Sequence, residues 1–281
     1  MRCLFCKCSS DASFGIEHIL PESLGNKSHT LSRGIVCDGC NNYFARKLER
    51  PVLTSGHFQI LRSHQIIPNK KGRVPVQNAI LRSNVPVDMV RTKDGRTIVR
   101  VPTKYWDRVA AMKNSEIILA GDGPLPDSKL MSRLLAKIAL EAMAFRLLEA
   151  DLSIEALIAD SQLDPIRSWA RYGSSVTQWG FCRRVIYDAN HKHRAASGET
   201  FQVLNEFDFL GTEKSELYFC LAVFGVEYTI NIGGPSFEGY LEWLETNPGC
   251  SPLYPVGRTK DAVFPRQLEE SIEAPSDRII N

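Results

Sequence analysis

The stretch from residue 3 to residue 50 contains two Cys-x-x-Cys pairs, Cys3-Leu4-Phe5-Cys6 and Cys37-Asp38-Gly39-Cys40, with Glu17-His18 between them. Four thiolates at this spacing close a tetrahedral site, and each short pair holds the metal from a tight turn. A single pair would be weak evidence, because redox motifs share it, but two pairs about thirty residues apart are specific. We therefore expect Cys3, Cys6, Cys37 and Cys40 to bind one structural zinc ion and to decide the fold around it.

The residues between and after the pairs supply candidate chemistry. A short apolar run surrounds Glu17 and His18 and leads into a proline-marked loop, which predicts a strand. Asn41 opens a segment of helical composition, residues 41–50, and Asn is a preferred N-cap, so a helix is expected to begin at Cys40 or Asn41. The cysteine pairs would then bring a carboxylate, an imidazole and an amide oxygen to one point.

This stretch resembles the HNH (ββα-metal) nuclease superfamily, in the branch whose finger is held by a four-cysteine zinc site. The pattern E/D-H-I-x-P-x-x-L-G followed by C-x-x-C-N is present as residues 17–25 and 37–41. The resemblance implies that Glu17 and Asn41 hold one catalytic divalent ion, Mg²⁺ or Mn²⁺, and that His18 is the general base that activates water. It covers roughly the first fifty residues and implies nothing about the rest of the chain.

The physical chemistry of these side chains agrees with the implied roles. Oxygen ligands suit a hard cation such as Mg²⁺, which keeps several waters and accepts phosphate oxygens. A histidine with an ordinary pKa of roughly 6.5 can take a proton from water near neutral pH. Thiolates select zinc and leave it no open position, so the two ions have separate tasks.

Several positions leave alternatives open. Many family members have Asp where this chain has Glu17, and the position expected for the family's middle Asn, which holds the loop of the catalytic His, is Ser32, so that role is unassigned. Asn42 is the ligand if the helix register differs by one, and Asn41 could serve only as an N-cap. Cys8 could replace one of the four thiolates. The whole stretch could also be an ordinary zinc ribbon without catalysis.

Length and composition describe an ordinary globular protein. The 281 residues suffice for one large or two moderate domains, with 43% hydrophobic and 23% charged residues. No signal peptide is expected, because Cys3 lies almost at Met1, and the most apolar run, residues 134–148, is interrupted by charges and is not expected to span a membrane. Eight cysteines, four of them assigned to zinc, favour a reducing cytoplasm.

Charge is distributed unevenly along the chain, although the net charge is only +2. Residues 1–113 carry 19 Lys and Arg against 8 Asp and Glu, whereas residues 114–281 carry 15 against 24. A basic front half that contains the finger is expected if that half lies on DNA phosphates. In the finger, Arg33, Arg46 and Lys47 are candidates to hold a phosphate next to the cleaved one.

We predict an α+β protein with three domains. Residues 1–55 form the zinc-stapled ββα-metal finger, residues 56–120 a basic, β-rich region that contacts DNA, and residues 121–281 an acidic α+β domain with an antiparallel sheet. A Gly- and Pro-rich segment, residues 121–127, marks the second boundary. The last domain is expected to serve oligomerisation, target recognition or sensing.

The elements outside the finger follow from hydrophobic period and turn residues. Middle-region strands are predicted at 58–61, 74–76, 85–90 and 97–101, the last two as a hairpin about Asp94-Gly95. The basic side chains of this region are expected to form a ribbon that follows a DNA backbone: Arg62, Lys70, Lys71, Arg73, Arg82, Arg91, Lys93, Arg96, Arg100 and Lys104. In the last domain, helices are predicted at 128–150, 153–160, 164–172 and 237–245, and strands at 179–187, 200–209, 217–224 and 226–232. The chain beyond Asn247 is expected to be loosely ordered.

Particular residues of the last domain carry further expectations. Lys137 and Glu141 are predicted to be an exposed i,i+4 pair, and their Ala-rich helix is a candidate dimer surface. His191 and His193 lie in a loop without a ligand partner, so no metal is expected there. Four aromatic side chains are assigned to the core rather than to a base-binding pocket: Trp169, Tyr172, Trp179 and Phe181.

The function that these patterns favour is a metal-dependent DNA endonuclease, with restriction or anti-phage defence as its setting. Because one finger holds one active site, cutting both strands would need a homodimer or two successive nicks. The alternative is a non-catalytic, zinc-dependent nucleic-acid-binding protein whose back half is an interaction module.

Overall fold

The computed structural model describes residues 1–69, 71–92, 94–119, 121, 123–174, 178–194 and 197–254. Helices and antiparallel sheets are both present in these ranges, so the predicted α+β class is confirmed. The chain clusters into two compact units: one contains residues 1–21, 25–50 and those described from 127 onward, and the other contains residues 22–24 and 51–126. The finger and the back half thus belong to one unit, and the three-domain division stays a prediction.

The N-terminal finger has the ββα order. Strand β1 (Glu17–His18) pairs antiparallel with β2 (Thr30–Leu31), and helix α1 (Asp38–Phe44) follows. The helix continues through a π-helical segment (Ala45–Glu49) into α2 (Arg50–Leu53). The predicted helix start at Cys40 or Asn41 is too late, because the Cys37 sulfur caps the helix by accepting the Cys40 backbone N–H.

The unit formed largely by residues 51–126 contains a four-stranded antiparallel sheet. Its elements are α3 (Gly56–His64), β3 (Gln77–Leu81), β4 (Val85–Arg91), β5 (Thr97–Arg100), α4 (Trp106–Ala110) and β6 (Ile117–Leu119). The strand order is β5-β4-β3-β6, and alternate residues of β3 and β4 face the core. The β4–β5 pairing, with Arg91 opposite Thr97, confirms the hairpin predicted about Asp94-Gly95.

Two of the strands predicted for this unit are wrong. Residues 58–61 lie in helix α3, where Phe58 and Arg62, four positions apart, are both buried on one side. A short apolar run does not distinguish a strand from a helix by its period, and tertiary packing decided it. Residues 74–76 precede β3 and form no strand. Burial lowers the pKa of Arg62, which therefore does not belong to an exposed basic ribbon.

The back half of the first unit combines helices with a second antiparallel sheet. Its elements are α5 (Ser128–Glu149), α6 (Glu155–Ala159), α7 (Asp164–Tyr172), β7 (Phe181–Val185), β8 (His193–Arg194), β9 (Thr200–Phe201), β10 (Asn205–Gly211), β11 (Leu217–Val223), β12 (Val226–Asn231) and α8 (Glu238–Thr246). The sheet order is β10-β11-β12-β7. Phe224 and Gly225, both at positive φ, form the two-residue turn of the predicted β11–β12 hairpin. The strand predicted at 200–209 is divided into β9 and β10.

Helix α5 is the centre of this unit. It packs against α7, strand β12 and, in the finger, β2 and the π-helical segment. Its Ser132 hydroxyl donates to the Trp179 carbonyl at 2.5 Å and accepts from the Trp169 indole at 2.9 Å. Trp169, Trp179 and Phe181 are buried, which confirms their assignment to the core, whereas Tyr172 is 58% exposed.

One further expectation, about α5, is wrong, and another, about the chain beyond Asn247, is wrong for residues 248–254. The alanine face of α5, predicted as a candidate dimer surface, is completely buried within the unit: Ala136, Ala139, Ala142 and Ala144. Residues 248–254 are ordered, since Ser251 and Tyr254 form a β-bridge and Leu253 is buried; the remainder of the predicted loose segment, 255–281, lies outside the described residues. In the described ranges, no helix combines the length and the apolar character that crossing a membrane requires.

Candidate functional site

The four predicted zinc ligands lie together. One sulfur from each of Cys3, Cys6, Cys37 and Cys40 lies within 4.8 Å of the others, and the Cys6 and Cys37 sulfurs are 3.7 Å apart. A tetrahedral zinc site with Zn–S bonds of about 2.3 Å has sulfurs about 3.8 Å apart, so the cluster fits zinc. Cys8 is exposed and lies outside the cluster.

The pKa values of the cluster reflect four thiols packed closely together. The side-chain hydrogen bond with Cys40 lowers the pKa of Cys3 to about 4, whereas burial and then the Cys3 charge raise the pKa of Cys6 to about 12. Thiolates this close repel one another, and a divalent ion removes that repulsion. Backbone amides already donate to two of the sulfurs, from Cys37 to Cys3 and from Cys40 to Cys37.

Asp38 at the start of α1 ties the loop before β1 to the helix. Its carboxylate accepts from the backbone N–H groups of Phe14 and Gly15 at 3.2 and 2.9 Å. A Cβ on Gly15 would lie 3.0 Å from the Asp38 carboxylate and 3.1 Å from Asn41 Nδ2, so glycine permits the loop to pass this closely over the helix. The Asn41 side chain therefore lies beside the chain two residues before Glu17.

The neighbouring asparagine is placed differently. Asn41 is half-buried and faces this loop, whereas Asn42 is exposed on the helix. The helix register thus favours Asn41 over Asn42 as the amide of the site. As the fourth residue of α1, Asn41 is also not the N-cap.

Asn26 holds the loop that follows the Glu17-His18 strand, and the sequence analysis missed it. Its Nδ2 donates to the carbonyls of Leu20 and His29 at 2.8 and 2.9 Å, and its Oδ1 accepts from the His29 N–H at 3.0 Å. The residue is buried, whereas Ser32, at the position first considered, is exposed. The signal was present in the sequence, because Asn26 is the single asparagine between the two cysteine pairs.

A buried ion cluster lies behind Glu17. Lys137 of α5 is completely buried, and its Nζ lies 2.6 Å from Glu17 Oε1, 3.0 Å from Glu49 Oε1 and 2.9 Å from Glu141 Oε2. The same Nζ donates to the His18 carbonyl at 3.2 Å. The predicted exposed pair of Lys137 and Glu141 is therefore wrong: the finger packs over this face of α5 and excludes water from it.

The pKa values of Lys137 and Glu141 are both raised in this cluster, for different physical reasons. Burial by itself would lower the pKa of Lys137, but the charges of Glu141, Glu17 and Glu49 raise it well above its ordinary value, so the ammonium is charged. Burial raises the pKa of Glu141 well above its ordinary value, against the effect of Lys137. Although Glu141 lies at ion-pair distance, neither of its oxygens has a hydrogen-bond partner in the part of the chain that is described.

Other contacts between the finger and the helices of the same unit are specific. The Arg167 guanidinium of α7 donates to the Leu4 carbonyl at 3.0 Å, and Lys7 pairs with Asp164 at 2.5 Å. The His29 ring packs against Phe145 of α5 at 5.4 Å. The finger is thus packed on the back half and is not a separate module within this unit.

The candidate phosphate-binding residues of the finger are on its surface. Arg33, Arg46 and Lys47 are all exposed, as contact with a nucleic-acid backbone requires. In the other unit, two members of the predicted basic ribbon already pair with carboxylates, Arg82 with Glu116 and Arg96 with Asp94. These exposed pairs reduce the free positive charge of that sheet.

Comparison with known families agrees with this geometry. Residues 3–55 match a family described as HNH endonuclease, and this range contains the ββα elements and the four-cysteine cluster. The resemblance of the N-terminal segment to that family is therefore confirmed, and it supports a nuclease-like function in general, with nucleic acid as the substrate. Comparisons with curated proteins and with solved structures returned no match.

Proposed function

We propose that this protein is a metal-dependent DNA endonuclease that hydrolyses phosphodiester bonds with the Glu17-His18 strand and Asn41. The observation that carries the proposal is the placement of Asn41 beside the loop that leads into this strand, within a segment that matches HNH endonucleases. A carboxylate, an imidazole and an amide oxygen are the groups that a one-metal hydrolytic site requires.

The donor set fits a hard divalent ion. Glu17 and Asn41 would hold Mg²⁺ or Mn²⁺ through oxygen, and Lys137 contacts Oε1 of Glu17, which leaves Oε2 for the ion. Held by these residues, such an ion would supply polarisation of the scissile phosphate and stabilisation of the departing oxygen.

The remaining steps belong to side chains of the finger. His18 accepts the proton of the water that attacks the phosphorus in line with the leaving oxygen. Arg33, Arg46 and Lys47 hold a neighbouring phosphate, and the cysteine cluster holds zinc without taking part in the chemistry. We also propose DNA as the nucleic acid, restriction or anti-phage defence as the setting and the cytoplasm as the location. These follow from the family resemblance and, for the location, from eight cysteines of which four are assigned to zinc and the others are scattered along the chain.

The test is cleavage of supercoiled plasmid by the purified, zinc-loaded full chain. With Mg²⁺ or Mn²⁺ we expect nicked or linear product, and with EDTA none. His18→Ala should slow cleavage by about 100-fold or more, the usual contribution of a general base. Asn41→Ala should also lower activity, whereas Asn42→Ala, its exposed neighbour, is the matched control and should not.

Zinc content has to be measured for each variant, so that loss of the fold is not mistaken for loss of the base. Cleavage that persists at the wild-type rate in His18→Ala would exclude the proposed mechanism. Equal losses in Asn41→Ala and Asn42→Ala would show that the helix, and not an amide ligand, had been disturbed.

The second candidate is a non-catalytic, zinc-dependent nucleic-acid-binding protein. The observation that favours it is the burial of Glu17, whose side chain is only 6% exposed and is paired with Lys137. Such a protein would retain DNA after removal of Mg²⁺ and would cut with no divalent ion. A DNA-binding assay in EDTA beside the cleavage assay separates the two functions.

A further inference from the structure

The buried ammonium of Lys137 contacts both residues of the strand that we propose to carry the chemistry. It holds the Glu17 carboxylate through Oε1 and the His18 main chain through its carbonyl oxygen. These two contacts fix the rotamer of the carboxylate and the position of the strand at once. Among the described residues, no other charged group lies within hydrogen-bond or ion-pair distance of the Glu17 carboxylate.

The same ammonium also reaches the helix that carries Asn41. Its third partner, Glu49, ends the π-helical segment that continues directly from α1. One cation on α5 is therefore bonded to the strand with Glu17 and to the helical segment that follows Asn41. Glu49 is eight residues beyond Asn41, so the contact with Glu17 is the direct contact of Lys137 with a proposed metal ligand.

Stability alone gives no reason for this arrangement. Charges removed from water lose their hydration, and apolar side chains of similar volume often replace buried ion pairs without loss of stability. Packing α5 against the finger through a completely buried lysine and three carboxylates costs more desolvation free energy than packing through apolar side chains would. Groups that hydrogen-bond to metal-binding carboxylates orient them, and their removal weakens metal binding.

We propose that Lys137 is a positioning residue of the divalent-ion site, through which the back half of the chain sets the geometry of the finger. Lys137 lies outside the segment that matches the HNH family, residues 3–55, so this contribution comes from the part of the chain that the family does not describe. The inference rests on the proposed function, because it assigns Lys137 a role toward the ion that Glu17 and Asn41 hold. Lys137 acts through Glu17 and touches neither substrate nor ion.

The test is Mn²⁺ binding by the zinc-loaded full chain without DNA, measured by calorimetry or from the electron paramagnetic resonance signal of free Mn²⁺. Lys137→Met should weaken Mn²⁺ binding by about 10-fold to 100-fold, the usual effect of removing such a partner. Lys129→Met, the same change at an exposed lysine of the same helix, is the matched control and should leave binding unchanged.

A double-mutant cycle shows whether Lys137 acts through Glu17. In the Glu17→Gln background, Lys137→Met should change Mn²⁺ affinity by less than about twofold, because the carboxylate that it positions is absent. If Lys137→Met weakened Mn²⁺ binding as strongly in the Glu17→Gln background as in the wild type, the proposal would be overturned. It would also be overturned if Lys137→Met, with zinc content and thermal unfolding unchanged, bound Mn²⁺ with wild-type affinity.

Lys137→Met could fail to fold, because it leaves buried carboxylates without a cation. The second variant, Lys137→Met with Glu141→Leu, removes both charges that α5 contributes to the cluster. It should weaken Mn²⁺ binding in the same way as Lys137→Met. Wild-type affinity, or an undiminished effect in the Glu17→Gln background, would again overturn the proposal. Failure of the proposed function gives a different result: wild-type protein would then neither bind Mn²⁺ nor cut DNA. If the wild-type protein binds Mn²⁺ and cuts DNA, and the Lys137 variants bind Mn²⁺ equally well, only the role proposed for Lys137 is excluded.

Discussion

At the scale of single residues, the effect of a charge depends on what packs over it. Lys137 and Glu141 are four positions apart, a spacing that on an exposed helix gives an ion pair worth a few tenths of a kcal/mol. Both side chains are in fact completely buried, and Lys137 also pairs with Glu17 and Glu49. Removing one partner of a buried pair costs about 3–5 kcal/mol, so the same two residues matter far more than their spacing indicates.

His29 is a second residue whose environment determines its behaviour. Its ring packs edge-on against Phe145 and Phe207, each at 5.4 Å, and burial lowers its pKa below the ordinary value. The folded protein therefore favours the neutral ring, and between the lowered pKa and roughly 6.5 the unfolded chain binds more protons. Stability contributed by neutral His29 is present above pH roughly 6.5 and is lost as the pH falls through this window.

We predict that the free energy of unfolding decreases less on acidification in His29→Phe than in the wild type. Phenylalanine keeps an aromatic ring between Phe145 and Phe207 and removes the titrating group. Urea unfolding followed by tryptophan fluorescence at several pH values from about 7 to about 5 measures the difference. Parallel pH profiles for the two proteins would show that His29 does not contribute to the acid sensitivity.

At the scale of elements, the helix that carries Asn41 contains a π-helical segment, Ala45–Glu49. The Arg50 N–H bonds to the Ala45 carbonyl five residues earlier, which places one extra residue in the turn. An extra residue rotates the side chains that follow by about 100° relative to a regular helix. Leu48 stays buried in this turn while Glu49 reaches Lys137, so the wider turn serves both packing and the ion cluster.

The N-terminus of α5 provides a prediction about an element. Asp127 is its N-cap, and the Asp127 carboxylate accepts the Leu130 backbone N–H at 2.9 Å. Asp127→Ala removes that acceptor and should lower the free energy of unfolding by about 1 kcal/mol. Asp127→Asn retains an oxygen acceptor and should lose only a few tenths of a kcal/mol.

Urea unfolding of the two variants and the wild type measures both differences. If Asn proved as destabilising as Ala, the contribution of Asp127 would come from its charge near the helix dipole and not from the hydrogen bond.

At the scale of the whole molecule, the first compact unit joins residues far apart in the chain. The finger, residues 1–21 and 25–50, clusters with the residues from 127 onward. Arg167 bonds to Leu4 and Lys137 to Glu17 across this separation. Disruption of the finger should therefore destabilise the back half of the same unit.

Loss of zinc tests that coupling. Cys40→Ser should reduce the zinc content from about one ion per chain to near zero, and it should lower the thermal unfolding midpoint, because binding of a structural metal adds directly to folding free energy. Cys8→Ser is the matched control: its thiol is exposed and outside the cluster, so it should keep both zinc and midpoint.

Zinc content by atomic absorption and thermal unfolding by circular dichroism measure the two variants. Loss of zinc in Cys8→Ser would show that Cys8 replaces one of the four assigned ligands. An unchanged midpoint in Cys40→Ser would show that the metal does not stabilise the unit.

Local pattern predicted much of this structure. The β11–β12 hairpin, the β4–β5 hairpin and helices α5 and α7 lie close to their predicted positions, since their signals are turn residues and hydrophobic period within one segment. Residues 58–61 were misassigned because a four-residue apolar run has no distinguishing period. The role of Asn26 is not visible in a local pattern, because its partners are main-chain groups of Leu20 and His29 that only the folded loop brings to it.

The sequence by itself predicted the four-cysteine cluster from short-range spacing, and its resemblance to the HNH family implied the ββα segment and the candidates Glu17, His18 and Asn41. Only the tertiary structure decided that Lys137 meets Glu17, 120 positions away in the chain, and that both are shielded from water. Burial and long-range ion pairing depend on how distant elements pack, and no local pattern specifies the partner of a charge.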